Sequence, residues 1–422
     1  MPGEEIANAA GACYVTAYAY PLALQRGSGP LGALLDLQPN TLAPFHPNFG
    51  LDGIEAFSNA AFIDTETTGL GGGAGVYCFM VGVGTFETLD APLDRGPLPL
   101  AGAVATAEHA SVEHDAPTHF VVRQYFMRSP AEEHALLTAL ARQLDSRDVA
   151  VTFNGRSFDL PLLRNRIRYN LRFLPDFARG VPLLHERAPH LDLLMPARRL
   201  WKRRLQSCRL ANLEQQVLQF VRTEDDVPGR LIPQMYIDYL RSGDARPLQR
   251  VFYHNREDIV SMVALADHLT RAFGSQTGAV QKVELPPADW IALGISYDNQ
   301  GRNDLAESAY RRALEFTADP HDRAELFARL ARLLKRQGRW QEAADAWQAW
   351  LSSTPGVDPT PFIELAKYCE WQLNDYDQAE MWAAWALFNL KQQDARLAWA
   401  RTISELEHRL DRIRRKKRTA AA

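Results

Sequence analysis

Cysteine is scarce in this 422-residue chain: Cys13, Cys78, Cys208 and Cys369 lie far apart, with no CxxC pair among them. That spacing argues against a cysteine-built zinc site and fits a reducing compartment. No run of about 18 apolar residues is present, so no membrane-spanning helix and no membrane partner are expected. The N-terminus lacks the basic-then-apolar signature of a secretory signal, and the expected location is cytoplasmic. Nor is there an excess of positive charge: 47 Lys and Arg stand against 51 Asp and Glu, for a net charge of −4. Any polyanion must be held by local clusters and not by a global field.

What is present is enough chain for two domains, with 46% hydrophobic residues to build their cores. Residues 1–54, rich in Gly, Ala and Pro, are expected to form an arm with little regular structure. From residue 55 the pattern sharpens. "AAFIDTE" and "VYCFMVGVGTF" read as buried strands separated by the flexible "GLGGGAG". Residues 88–118, rich in Pro, Ala and Asp, look like a surface insertion. "HFVVRQYFM" (119–127), "DVAVTF" (148–153) and "HLDLL" (190–194) supply further strands. "PAEEHALLTALARQL", "DLPLLRNRIRYN" and residues 248–274 carry helical spacing. Strands followed by helices indicate an α/β domain over 55–275.

The last third differs. "GRNDLAESAYRRAL", "GRWQEAADAWQAWL" and "NDYDQAEMWAAWAL" align without gaps, placing Ala306, Ala343 and Ala379 in one register. Trp290, Phe327 and Ile363 hold equivalent upstream positions. This predicts helix–turn–helix repeats of tetratricopeptide type over 285–390, an all-α domain. A helical extension and basic tail, 391–422, complete the chain.

The chemistry begins in "AFIDTETTGL". Asp64 and Glu66 are two apart, so on a strand they point to one face. Two acids on a buried face repel and are costly to desolvate unless a cation lies between them. The plain alternative is that the strand ends at Ile63 and both acids are solvated. Asp159 in "VTFNGRSFDLPLL" precedes a helix and could simply cap it. His254 and Asp258 in "YHNREDIVSMVAL" are four apart and share a helical face, as many surface pairs do. Taken together, four carboxylates from three separate elements can converge over a sheet edge. Oxygen-only ligands suit Mg²⁺ or Mn²⁺, and two such ions can activate a water and stabilise a leaving oxygen.

D-x-E-T-T-G, N-x-x-x-F-D and a terminal Asp preceded by a base resemble the DEDD 3′→5′ exonucleases of the ribonuclease H-like superfamily. "HLDLLMPARRLWKRRLQSC", "EDDVPGRLIPQMYIDYLRSGD" and "HNREDIVSMVAL" resemble its YprB-like, or MrfB-type, branch, and the likeness spans most of residues 50–390. It implies a mixed sheet with flanking helices, Asp64, Glu66, Asp159 and Asp258 as ligands of two Mg²⁺ or Mn²⁺ ions, and His254 as general base. Thr67, Thr68, Leu70 and Asn154 lie where relatives contact the terminal nucleotide. Asp192 is a fifth acid near the cleft, better explained by a structural hydrogen bond. One departure stands out: relatives place a histidine five residues before the last Asp, or a tyrosine four before it. Here His254 has the tyrosine's spacing and Tyr253 the histidine's. On a helix, His254 lies about 40° from Asp258 around the axis and Tyr253 about 140°.

The implied activity is a metal-dependent 3′→5′ exonuclease, with DNA in a repair setting favoured over RNA and a helicase as a partner for the repeats. "RNRIRYNLR" and "RRLWKRR", with Tyr169 and Trp201 interleaved, could hold phosphates and stack on bases, or be solvated helix faces. Two rivals remain open: an exoribonuclease acting on structured RNA, and a non-catalytic scaffold that keeps the fold.

Overall fold

The strands expected around the paired acids are present in the computed structural model, which describes residues 3–27, 29–45, 48–69, 75–89, 95–98, 116–223, 225–274, 284–353, 358–392 and 399–421. In chain order they are β1 (Glu4–Asn8), β2 (Gly11–Pro21), the two-residue β3 (Gln25–Arg26) and β4 (Gly29–Pro30), β5 (Ala60–Thr67), β6 (Cys78–Glu87), the two-residue β7 (Gly96–Pro97), β8 (His119–Phe126), β9 (Val149–Thr152) and β10 (His190–Asp192). The main sheet runs β1-β2-β8-β6-β5-β9-β10, with β7 on β2. Pairings from β1 to β5 are antiparallel, whereas β5–β9 and β9–β10 are parallel. The sheet is therefore mixed, with β5 where the two halves meet. Helices α1 (Glu133–Leu144), α2 (Asp159–Asn170), α3 (Asp176–Arg179), α4 (Leu194–Trp201), α5 (Leu210–Gln216), α6 (Ile232–Ser242) and α7 (Leu248–Gly274) complete this unit, Met1–Val283.

The expected N-terminal arm is not what forms. Residues 4–21 make two strands of the main sheet, β2 pairing along eight residues of β8. The signal was a period of two: Cys13, Val15, Ala17 and Ala19 are all buried. Small alanines masked it, because composition alone resembled a linker. The segment also reaches α7, where the Arg26 guanidinium pairs with Glu257 at 2.5 Å, both side chains almost fully buried. Breaking such a buried pair typically costs about 3–5 kcal/mol.

Helix α7 packs across β5, β6 and β8. It approaches closely because β6 carries Gly82 and Gly84 beneath it. A Cβ on Gly82 would lie 2.2 Å from Asn255 Oδ1 and 2.4 Å from Ile259 Cδ1. On α6, the Tyr236 ring stacks on Phe79 with centroids 4.0 Å apart, and its hydroxyl donates to the Met127 carbonyl at 2.9 Å. A stacked aromatic pair adds about 0.5–1.5 kcal/mol to its burial. These contacts seat α6, whose Pro233 lines the cleft described below.

The second unit, Glu284–Ala422, is helical: α8 (Pro287–Asn299), α9 (Asn303–Phe316), α10 (Pro320–Arg336), α11 (Trp340–Ser353), α12 (Thr360–Tyr368), α13 (Tyr376–Lys391) and α14 (Ala400–Ala421). α8 packs on α9, α10 on α11 and α12 on α13. Ala306, Ala343 and Ala379 are fully buried at equivalent places in the second helix of each pair. Gly301 and Gly338 close two of the intervening turns with φ of 71° and 75°, a left-handed conformation that glycine adopts without strain. Among the described residues, no helix is long and apolar enough to cross a membrane. Leu70 and most of the expected insertion at 88–118 lie outside the described residues.

Candidate active site

β5 delivers Asp64 and Glu66, α2 begins on Asp159, and α7 carries His254, Asn255 and Asp258. Asp159 is not the N-cap residue: Phe158 holds that position, with no side-chain capping bond. A cleft of about 630 Å³ is lined by Glu66, Thr67, Asn154, Phe158, Asp159 and Asp258, among others. Asp64 lies behind it, within electrostatic reach of all three other acids.

Burial and mutual repulsion dominate the charges here. Burial first, then Asp258, Glu66 and Asp159, pushes the Asp64 carboxyl well above the usual carboxylate range, against one stabilising bond from Asn255. Burial also raises Glu66, to about 8, with His254 opposing and Asp258 and Asp159 adding to the rise. Asp159 is raised by burial to about 6, moderated by a bond from the Thr65 hydroxyl.

A polar relay fixes Asp64 from behind. Thr16 Oγ1 donates to Gln124 Oε1 at 3.1 Å, and Gln124 Nε2 donates to Asn255 Oδ1 at 2.8 Å. Asn255 Nδ2 then donates to Asp64 Oδ2 at 2.8 Å. Asn255 is fully buried, and this is the amide that Gly82 admits. Such supporting bonds fix the orientation of a carboxylate.

His254 has a partner of its own. Its Nδ1 lies 2.7 Å from Asp226 Oδ1, and its Nε2 lies 3.8 Å from Asp258 Oδ2. A carboxylate only accepts, so Asp226 assigns the proton to Nδ1 and leaves Nε2 facing Asp258. The approach of Arg222 Nη1 to Nδ1 at 3.2 Å is then a contact and not a bond, because one nitrogen cannot donate to Asp226 and accept from Arg222. Burial pulls the imidazole pKa down, but Asp258, the Asp226 bond and Glu66 outweigh it and hold it up at about 9. Tyr253 points elsewhere: its hydroxyl accepts from the Thr223 amide at 3.2 Å.

Arg222 donates to both oxygens of Glu214, at 2.7 and 2.8 Å, and its guanidinium also bonds Asp258. Among the described residues, no three carboxylate, imidazole or thiol groups stand grouped as a formed metal site. Three of the acids are instead bonded to protein donors, Asp64 to Asn255, Asp159 to Thr65 and Asp258 to Arg222. The donor set nonetheless fits hard dications. It offers four carboxylates, with Asp64 and Glu66 held in a repulsion that a bound cation relieves.

The remaining candidates divide. Thr67 and Asn154 line the cleft; the Thr67 hydroxyl donates to the Gly69 carbonyl at 2.8 Å. Thr68 is occupied in its turn, its hydroxyl accepting from the Tyr77 amide at 3.0 Å. Asp192 makes the structural bonds expected of it, accepting from the amides of Asn154, Arg156 and Leu194 at 2.8, 3.1 and 3.1 Å. These bonds hold Asn154 at a φ of 69°. Trp201 is fully buried and Arg166 is buried against Glu133, so neither is available to a nucleic acid. Sequence reasoning assigned no role to Asp226, Arg222, Glu214 or Asn255. Only Asn255 had a local signal, a polar side chain one turn before Asp258 on an otherwise buried helix face.

Residues 102–270 match the RNase_H superfamily, a span that includes Asp159 and Asp258. The chain is also 30% identical over 363 residues to the "Uncharacterized protein YprB" of Bacillus subtilis (strain 168), covering 85% of this chain and 75% of that one. The chain belongs to the YprB family within the RNase_H superfamily. Its mixed sheet with flanking helices is ribonuclease H-like, and the domain is nuclease-like. Nucleases of this superfamily generally use divalent metal ions, and the four acids of this YprB relative are of the type that bind them.

Proposed function

We propose that the protein is a metal-dependent 3′→5′ exonuclease that hydrolyses phosphodiester bonds of nucleic acid, DNA in preference to RNA. The observation that carries the reading is the gathering of Asp64, Glu66, Asp159 and Asp258 with an oriented His254 about one cleft. The four carboxylates would hold two Mg²⁺ or Mn²⁺ ions, whose charge favours hydroxide over water and stabilises the leaving oxygen. Asn255 would hold the Asp64 carboxylate in place through Oδ2. His254 is held protonated in the metal-free chain. Cations at the carboxylates would offset the negative charge of Asp258 and Glu66 and lower its pKa, so that Nε2 could accept the proton of the attacking water while Asp226 keeps Nδ1 protonated and the ring in place. Thr67 and Asn154 would flank the terminal nucleotide, with Thr68 in the same turn as Thr67.

The 3′→5′ direction and the preference for DNA rest on the likeness to the DEDD exonucleases; choice of sugar itself depends on contacts to the 2′ position. The repair setting and a helicase partner rest on the same likeness; the three packed helix pairs support the tetratricopeptide-like repeats alone. The test is hydrolysis of matched DNA and RNA single strands, labelled at either end, in EDTA, Mg²⁺ or Mn²⁺. Stepwise loss from the 3′ end of DNA, abolished by EDTA, is expected. Faster RNA hydrolysis would reassign the substrate, and no hydrolysis in either metal would favour the scaffold.

A further inference from the structure

Beside the cleft lies a second, larger cavity of about 790 Å³, and Asn154 and Arg209 line both. Its charge is the reverse of the cleft's. Arg198, Lys202 and Arg209 line it together with Gln206 and Ser207, and no carboxylate does. Arg198 and Lys202 are four apart at the end of α4, on one face and about 6 Å apart along the axis. A helix C-terminus favours a cation, which explains part of that pair. It does not explain Arg209, which stands at the N-terminal cap of α5 with no side-chain capping bond. An acceptor is the usual choice there, and the helix dipole disfavours a cation.

These three cations are also unspent. Among the described residues none of them has a carboxylate partner, whereas Arg166, Arg222 and Arg26 are each paired. The basic α14 is different again: Arg409, Arg412 and Lys416 all converge on Glu370. Three exposed, unpaired cations around a concave wall, continuous with an acidic cleft, match a phosphodiester chain whose reacting end lies among the acids.

We propose that this cavity is the track for the nucleic-acid strand leading away from the scissile bond, with Arg198, Lys202 and Arg209 neutralising its phosphates. The inference rests on the nuclease reading above. Phe153 on the cavity wall and Phe158, 54% exposed in the cleft, offer ring faces to bases along the path. Recognition through phosphates is indifferent to sequence.

The test is fluorescence anisotropy of the full-length chain in EDTA with a labelled oligothymidylate of about 20 nucleotides, across a salt series. Arg198→Gln/Lys202→Gln is compared with wild type and with Arg312→Gln/Arg332→Gln, an equal charge loss in the second unit. The cavity variant should bind at least about tenfold more weakly near 0.1 M salt, with a salt slope shallower by about 1.4, and the comparison variant should match wild type. Unchanged circular dichroism shows that each variant is folded. Equal affinity and slope for wild type and the cavity variant, with wild type still hydrolysing the strand in Mn²⁺, overturns the track and leaves the nuclease standing. Equal loss in both variants also overturns it. A wild type that neither binds nor hydrolyses the strand takes down both.

Discussion

Removing metal should make this protein's stability fall as pH rises, opposite to the trend of a protein held by salt-bridged acids. In the folded, metal-free chain Glu66 titrates at about 8 instead of its ordinary 4.5, Asp159 at about 6, and His254 at about 9 instead of 6.5. Asp64 is raised as well. Each of these shifts is upward, so each contributes stability that is lost as pH rises between about pH 4.5 and 9. His268, lowered by burial to about 4, works the other way and tempers the fall up to about pH 6.5. For Glu66 alone the shift corresponds to on the order of 5 kcal/mol between low and high pH. At about 2 °C per kcal/mol for a unit of this size, that is a fall in midpoint of about 10 °C. Cations at the carboxylates replace the protons, so Mg²⁺ or Mn²⁺ should flatten the curve and raise its alkaline end most. The assay is thermal unfolding of EDTA-treated protein across this range, repeated with excess Mn²⁺ and with Glu66→Gln. A metal-free midpoint that is flat or rises with pH, or a slope that Mn²⁺ and Glu66→Gln leave unchanged, would refute the reasoning.

His254→Ala should lose at least about a hundredfold in turnover at saturating Mn²⁺, while Tyr253→Phe should be nearly silent; the reverse pattern would reassign the base to Tyr253. Asp226→Ala should slow hydrolysis by about 10–100-fold with Asp226→Asn in between, and full activity in Asp226→Ala would mean His254 needs no orienting partner. Gly82→Ala drives a methyl into Asn255 and Ile259, so it should cost about 1–3 kcal/mol in urea unfolding and weaken Mn²⁺ binding in a calorimetric titration. An unchanged midpoint would show that α7 does not depend on that close approach.

The parts of the fold that were legible are those with strong local periodicity. β5 opens on the apolar Ala60–Ile63, β6 is apolar nearly throughout and β8 is mostly apolar and aromatic, and α7 shows helical spacing over its whole length, so these were visible without tertiary context. β2 alternates small with aromatic residues, Ala17 and Ala19 against Tyr18 and Tyr20, and a composition rich in Ala and Gly hid a strand that pairs with the sheet centre. At the site, the acids were visible because carboxylates are rare on buried strands and their order along the chain was distinctive. Asp226 was not, since it lies 28 residues from His254 in a segment with no periodic pattern. The relay through Thr16, Gln124 and Asn255 was equally hidden, because each is an unremarkable polar residue until three elements bring them into line.

The central claim is that the four carboxylates form one metal-dependent hydrolytic site. Its most direct test is single-turnover hydrolysis of a 5′-labelled DNA strand by wild type, Asp64→Ala and Asp159→Ala, each checked for folding by circular dichroism, in EDTA and then in Mn²⁺. The account predicts that wild type is silent in EDTA and active in Mn²⁺, and that both folded variants stay inactive in either condition. Hydrolysis by wild type in EDTA, or full Mn²⁺-dependent activity in either variant, would contradict it.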